Sequence, residues 1–396
     1  MTEASLAAIG SVRELMSSAP FDTVAMVLER RAHRDRSTAP LLLAAASWCA
    51  VIRDDIVEAR RLAAQAVGVV RGAVDAAHLR PIVVGLADVI DAMGGARPFE
   101  PAALDRIAEL FLTETGDAPG RLRSELAWML EVPNWFTFAD RYDDASRMLD
   151  GRLADLDPAP DQYERVSVWC CLAELEFRRG RWDSARQSSL AAIEAAVEMG
   201  DDAGYAHALA ARIEAGRAHS ASCEEHIRTA WALSLKRGDR STQWRVVGAE
   251  AFAAASLADW TRVRGLLEPL IEPGNGAGVR LASVRLWDGD YLESLVRLDE
   301  REAARRRLHL LEDEHAVVPT RWTSGLIGRI AALAAPDPAT AIGLATESVA
   351  TFDSIGAVFE AARSRLVLGE LLHAARQADA AVVALRSASL LSLIHI

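Results

Sequence analysis

Lysine is almost missing from this chain: Lys236 is the single one among 44 basic residues in a sequence of 396. The remaining basic residues are arginines, which reads first as a G+C codon bias and only then as guanidinium chemistry. Cysteine is scarce too. Cys49, Cys170, Cys171 and Cys223 form no C-x-x-C pair, and adjacent Cys170 and Cys171 cannot bridge without strain, so a reducing cytoplasm is the expected compartment. No run of about 18 uncharged apolar residues occurs, which excludes a hydropathic membrane span. The opening "MTEASLAAIGSVRELMSSAPFD" carries early acidic residues and no long apolar core, so no export signal is expected. Strand-type alternation is rare, and "PIVVGLADVI" from Pro81 fits one helix face through Ile82, Leu86 and Ile90 equally well. Catalytic signatures are missing as well: there is no G-x-S-x-G, no H-E-x-x-H and no distinctive pair of carboxylates, so neither an enzyme nor a cofactor is expected. With 44 basic against 56 acidic residues the net charge is −12, opposite to the footprint of a domain that grips phosphate backbones.

What is present is a large apolar fraction, 51%, enough for an extensive core, and a repeat. The stretch "GRWDSAR" (180–186) is one tooth of it: a turn, an acidic residue, then a small residue opening a second helix. Ala145, Ala185, Cys223, Val263, Ala303, Ala341 and Ala380 occupy that small position at steps of 40, 38, 40, 40, 38 and 39. Upstream the steps between Ala25, Ala59, Ala103 and Ala145 loosen to 34, 44 and 42. A period of about 20 to 50 residues marks stacked supersecondary units, none of which can bury its apolar face alone. Here each unit reads as a helix pair. Val166, Trp169, Cys170, Leu172 and Ala173 form one apolar stripe, and Leu190, Ile193 and Val197 form the next. Gly180 and Gly200 fall where helices should stop. Helix axes that approach to about 8–10 Å require an Ala-sized side chain at the crossing, which explains the small anchor.

The offsets of Trp169, Leu172 and Ala185 resemble the tetratricopeptide repeat, at a period of about 39 rather than the 34 usual for that motif. The later sequence, above all "FDSIGAVFEAARSRLVLGELLHAARQADAA" (352–381), resembles the helical-repeat arm of the large ATP-binding, maltose-activator-like regulators of the LuxR type. That likeness is strong over residues 265–388, fair from 120 and weak before. It implies an all-α, tetratricopeptide-like solenoid of antiparallel helix pairs in a right-handed superhelix, working as a sensor or interaction arm. Members of that family also carry a nucleotide-binding domain and a helix-turn-helix. Here the phosphate loop is missing, and Lys236 is followed by Arg237 and Gly238, so ATP chemistry is not carried over. No recognition-helix segment is present either, and no residue is assigned to reading DNA. Residues 1–120 are expected to form divergent repeats and 121–388 the tetratricopeptide-like ones. In 389–396 the string "SLLSLIHI" resembles translated adapter read-through, so the natural chain is expected to be longer.

Helices that open each repeat should line the concave groove, where a protein or small-molecule effector is expected. This selects Glu174, Phe177 and Arg178 from one unit, Arg212 from the next and Arg365 from the last. By their sequence setting alone, Glu174 and Glu176 read as helix-surface groups, and Arg305, Arg306 and Arg307 as a solvated face balanced by Glu312, Asp313 and Glu314. His219, Cys223 and His226 have metal-ligand spacing on one helix face, but Cys223 stands at the anchor and no fourth ligand is evident, so packing is favoured over a metal. Trp169, Trp182, Trp244 and Trp260 fall in register and should fill space between repeats. Trp135 and Phe136, in "NWF" after Pro133, break the register. Core packing is favoured for them, with an exposed aromatic patch for a ligand or partner as the alternative. The rival to the regulator reading is a stand-alone adaptor or scaffold. Oligomeric state is not encoded in any of these features.

Overall fold

The structure is a computed structural model that describes residues 2–112, 126, 129–155, 162–200, 203–271 and 278–393. Among them are twenty α-helices and no strand. The first are α1 (Thr2–Ser18), α2 (Phe21–Arg34), α3 (Ala39–Ile52), α4 (Ile56–Gly72), α5 (Arg80–Met93), α6 (Pro101–Leu112) and α7 (Val132–Phe138), with a 3-10 turn at Val74–Leu79. Then follow α8 (Tyr142–Asp155), α9 (Gln162–Arg178), α10 (Trp182–Met199), α11 (Gly204–Gly216), α12 (Ser220–Arg237), α13 (Arg240–Ser256) and α14 (Trp260–Ile271). The last are α15 (Asp288–Arg297), α16 (Arg301–Val317), α17 (Arg321–Ala334), α18 (Pro338–Ser354), α19 (Val358–Ala374) and α20 (Ala378–Leu393). The fold is the tetratricopeptide-like solenoid of helix pairs expected from the repeat.

One turn chemistry builds most of the pairs. Between α9 and α10, Gly180 takes a left-handed φ of 73°, and Arg181 N–H turns back to the carbonyl of Glu176 at 2.9 Å. That bond satisfies an orphan carbonyl at the end of α9 and aims the chain antiparallel. Asp54, Asp140, Ala218, Ala258, Asp299 and Arg376 hold the same conformation, at φ between 56° and 61°, although each carries a Cβ that disfavours it.

The anchor residue has a fixed place in this geometry. Ala145, Ala185, Cys223, Val263, Ala304, Ala341 and Ala381 each donate N–H to the carbonyl four residues back, at 2.9–3.1 Å, closing the first turn of the second helix. All seven are at most 2% exposed. Two anchors therefore differ from the expected ones: Ala303 is half-buried and Ala380 exposed, while their neighbours Ala304 and Ala381 enter the crossing. Both sites are Ala-Ala pairs, and only the position of the helix start, set by Glu300 and Gln377, decides which methyl faces inward. Close approach recurs at Gly325 of α17, where an added Cβ would lie 2.7 Å from the Phe352 ring of α18.

Packing is successive. Within the pairs α9 meets α10, α11 meets α12, α17 meets α18 and α19 meets α20, while α9, α11, α13, α15, α17 and α19 also touch in sequence as an inner row. The curl brings distant segments together: α13 contacts α3. Arg237, at the end of α12, donates Nε to Ala19 O at 3.1 Å, Nη1 to Ser17 O at 3.0 Å and Nη2 to Met16 O. Its guanidinium also lies 4.7 Å from the centre of the Phe21 ring. A cation on the last carbonyls of α1 is favoured by the helix dipole as well as by the hydrogen bonds. Further along, Val279 N donates to Asp54 Oδ1 at 3.3 Å, Ser283 Oγ to Phe138 O at 2.7 Å and Trp322 N to Asp140 Oδ2 at 3.0 Å. One apolar core accordingly runs from Val12 to Ala361. No helix of the described residues is long and apolar enough to cross a membrane.

Candidate functional site

The inner row is where binding residues were expected, and much of it is closed. Glu174, Phe177 and Arg178 are at most 6% exposed. Arg178 Nε donates to Glu174 Oε1 at 2.7 Å, its Nη2 reaches Ser283 O, and the guanidinium lies 5.1 Å from the Trp322 ring. Phe177 stacks on Trp182 with ring centres 5.8 Å apart. Arg212 sits 4.6 Å from the Phe252 ring and 5.4 Å from Phe177, with Asp290 at 3.9 Å. These four expected groove residues do come together, but the later repeats cover them. Arg365 lies apart from them, with Nη2 on Asp353 Oδ2 at 2.6 Å.

Three corrections follow from the same closure. Glu174 and Glu176 are not helix-surface groups, since both are buried, Glu176 receiving Arg181 Nη2 at 2.6 Å. Arg307 leaves the solvated face of Arg305 and Arg306 and turns inward to Asp288 Oδ1 at 3.2 Å. Trp135 and Phe136 are not an exposed patch: both are 0% exposed, and Trp135 Nε1 donates to Leu130 O at 3.0 Å. Their short helix α7 breaks the repeat register because it is buried on every side. The metal-spaced trio is dispersed. Cys223 lies in the core, His219 Nδ1 meets Glu214 Oε2 at 2.8 Å, and His226 Nδ1 lies 2.9 Å from Nδ1 of His207.

A cavity of about 170 Å³ stays open where the first helices meet the inner row. Its walls come from α2 and α3, from the turn before α7, from α11 to α13, and from the segment leading into α15. Phe21, Trp48, Trp244 and Trp287 give it aromatic surface, while Asp54, Glu131, Tyr205, Asp239, Arg237, Arg245 and Arg285 supply polar atoms. Local structure fixes several of these polar groups. Asp239 caps α13, accepting from Thr242 N at 2.8 Å and Thr242 Oγ1 at 2.7 Å, and burial still pushes its carboxyl upward. Glu131 takes a left-handed φ of 51° at the start of α7 and accepts from Asn134 Nδ2 at 3.0 Å. Burial raises its carboxyl to about 7, and does the same to Asp54. Tyr205 lies under Arg245, whose guanidinium is 5.0 Å from the ring centre, and the phenol hydroxyl is buried without a hydrogen-bond partner among the described residues. Sequence reading missed this site altogether, because its residues are spread from Met16 to Trp287 and share no motif.

Solved structures resemble the chain, two of them as follows. A Rap protein complexed with competence and sporulation factor superposes with a TM-score of 0.66 at 11% identity, over 90% of this chain and 98% of the other. The Cut9–Hcn1 hetero-tetramer of the APC/C gives a TM-score of 0.40 at 14% identity, over 94% of this chain and 78% of the other, too loose to bear on the fold. At such identities the first likeness establishes a shared fold and nothing finer. No protein-family model and no curated relative matches the sequence.

Proposed function

We propose that the chain is a helical-repeat receptor, non-catalytic, whose interior cavity takes an effector and whose stack passes the occupancy on, as the sensor arm of a LuxR-type transcriptional regulator. The observation that carries this reading is the position of the cavity. It lies where α2 and α3 meet α11 to α13, parts of the chain far apart in sequence that also meet through α3 against α13 and through Arg237 on the last carbonyls of α1. A guest there touches both sides of the closure and favours the closed curl over a more open one, by its difference in affinity for the two. The fold shared with the Rap protein, crystallised with competence and sporulation factor, agrees with a binding role for this architecture. The LuxR part of the reading comes from residues 265–388 alone.

The test uses the full chain and a mixed library of aryl acids, amines and amino acids in ligand-observed NMR. Hits are expected to compete with one another and to vanish in Ser241→Trp, which fills the cavity from a half-buried position on its wall. Hits that survive in a folded Ser241→Trp chain would place binding elsewhere and remove the proposal. Genomic sequence encoding a helix-turn-helix in the same reading frame supports the regulator role, and its absence favours an adaptor.

A further inference from the structure

Two charged groups on the cavity wall, Arg245 and Glu131, lie near enough to feel each other's charge but form no ion pair. Interior arginines elsewhere are committed: Arg178 to Glu174, Arg329 to Glu360, Arg363 to Asp290 and Glu293, Arg307 to Asp288. Arg245 differs. Among the described residues no carboxylate lies within 4.0 Å of it, and its one hydrogen bond is a long one, from Nη1 to Ser241 O at 3.3 Å. A guanidinium has five N–H donors in a planar fork, so most of those on this cavity-lining arginine have no described acceptor. Beside it the Tyr205 hydroxyl is a buried donor with no acceptor among the described residues. Opposite in sign stands Glu131, which has a neutral amide, Asn134, as its hydrogen-bond donor and no described cation within ion-pair distance. Arg245 and Glu131 are half-buried, and Tyr205 holds its hydroxyl buried; polar groups partly withdrawn from water and short of partners are the atoms that a guest should complete.

Size narrows the guest. A dry apolar cavity of about 150 Å³ accepts a benzene-sized molecule, and drug-sized pockets begin at about 300 Å³. At about 170 Å³, with Trp48, Trp244 and Trp287 on its walls, this one suits a single ring or branched alkyl group with small polar ends.

Resting on the receptor reading above, we infer that the cavity binds a free apolar α-amino acid as its zwitterion: the carboxylate on the Arg245 fork and Tyr205 hydroxyl, the ammonium on Glu131, the side chain against the tryptophans. A carboxylate accepts two parallel N–H bonds from a guanidinium, a charge-assisted geometry that water does not reproduce. The ammonium then supplies the cation that Glu131 lacks. An anion alone leaves Glu131 to take up a proton, and a cation alone leaves Arg245 without an acceptor. Arg237, also on the cavity wall, does not compete for the guest because its guanidinium is held by the carbonyls of α1.

Titration calorimetry on the full chain tests this with L-phenylalanine and L-leucine as probes, against N-acetyl-L-phenylalanine, which lacks the ammonium, and L-phenylalaninamide, which lacks the carboxylate. Saturable binding of at least one amino acid is expected, with both blocked analogues of phenylalanine weaker than it by about tenfold or more, the scale of one charge-assisted hydrogen bond. Arg245→Met should abolish the preference for phenylalanine over its amide, and Glu131→Gln the preference over the N-acetyl form. Equal binding of a blocked analogue, or no binding of either amino acid, overturns the inference without recourse to any variant. Library hits lost in Ser241→Trp but containing no amino acid would overturn it while leaving the receptor reading intact.

Discussion

Helix α3 and the inner helices of the later repeats are both buried, and they achieve it by opposite means. The sequence of α3, "APLLLAAASWCAVI", carries no charge, and every residue from Ala39 to Val51 is buried. Helix α15, "DGDYLESLVR", buries Asp288, Asp290 and Glu293, and α19 buries Glu360. Charge is thus a poor guide to exposure in a curled solenoid. Acidic groups on one inner helix meet arginines one or two inner helices away, as Arg363 on α19 meets Asp290 of α15 at 2.8 Å and Arg329 on α17 meets Glu360 of α19 at 2.5 Å. Leaving α3 apolar needs no partner at all. The charged inner row needs every partner in place.

The largest effect is expected where that requirement is broken. Arg329→Met takes from buried Glu360 its close arginine, leaving only Arg363 at 3.6 Å, and should cost about 3 kcal/mol in denaturant unfolding, whereas Arg329→Met with Glu360→Leu should recover most of the loss. Additive losses in the double variant would mean that the pair is not the unit of stability. Next comes the crossing. Ala185→Leu, at a fully buried anchor, overpacks α9 against α10 and should cost about 1–3 kcal/mol, while the same change at exposed Ala380 should be near neutral. Equal effects at the two sites would contradict the one-residue shift of the anchor.

A smaller effect concerns pH. The Glu131 carboxyl is raised to about 7 in the fold from an ordinary 4.5, so between those values the folded chain holds more of this proton than the unfolded chain. Its contribution to stability therefore falls as pH rises through that window. Asp54 tilts the profile the same way, while His207, pushed down to about 4 by burial and by His226, opposes it below about 6.5. Glu131→Gln removes one contribution, and the difference in melting temperature between variant and parent should widen in the variant's favour from pH 4.5 to 7. Parallel profiles would show that Glu131 titrates like a surface group. The smallest effect belongs to the turns: Ala258→Gly relieves a left-handed φ of 56° at an exposed position and should stabilise by up to about 1 kcal/mol.

The same contrast explains how much of the molecule was legible in its sequence. The repeat period, the all-α class and the stops at Gly180 and Gly200 are local, set by helix stripes and turn residues within one unit. Registers at Ala303 and Ala380 failed by one residue because two neighbouring alanines fit the pattern equally and only the helix start separates them. Glu174, Glu176 and Arg307 looked solvated because their burial depends on how the superhelix curls. Arg178, for instance, is capped by Ser283, 105 residues further along. Trp135 and Phe136 illustrate the reverse: leaving the repeat register signalled a buried bridge between units. The cavity was invisible for the same reason as the charge pairs, its walls being brought together by closure rather than by any contiguous stretch.

Closure itself is best tested through Arg237, the cation that ties the end of α12 to Met16, Ser17 and Ala19. Amide hydrogen exchange in Arg237→Ala should quicken at the end of α1 and the start of α2, and also at Val279 beside Asp54, while α17 to α20 keep their protection. Exchange indistinguishable from the parent over residues 15–24 and 279–287 would mean that the first helices do not close over the inner row, and the cavity would go with them.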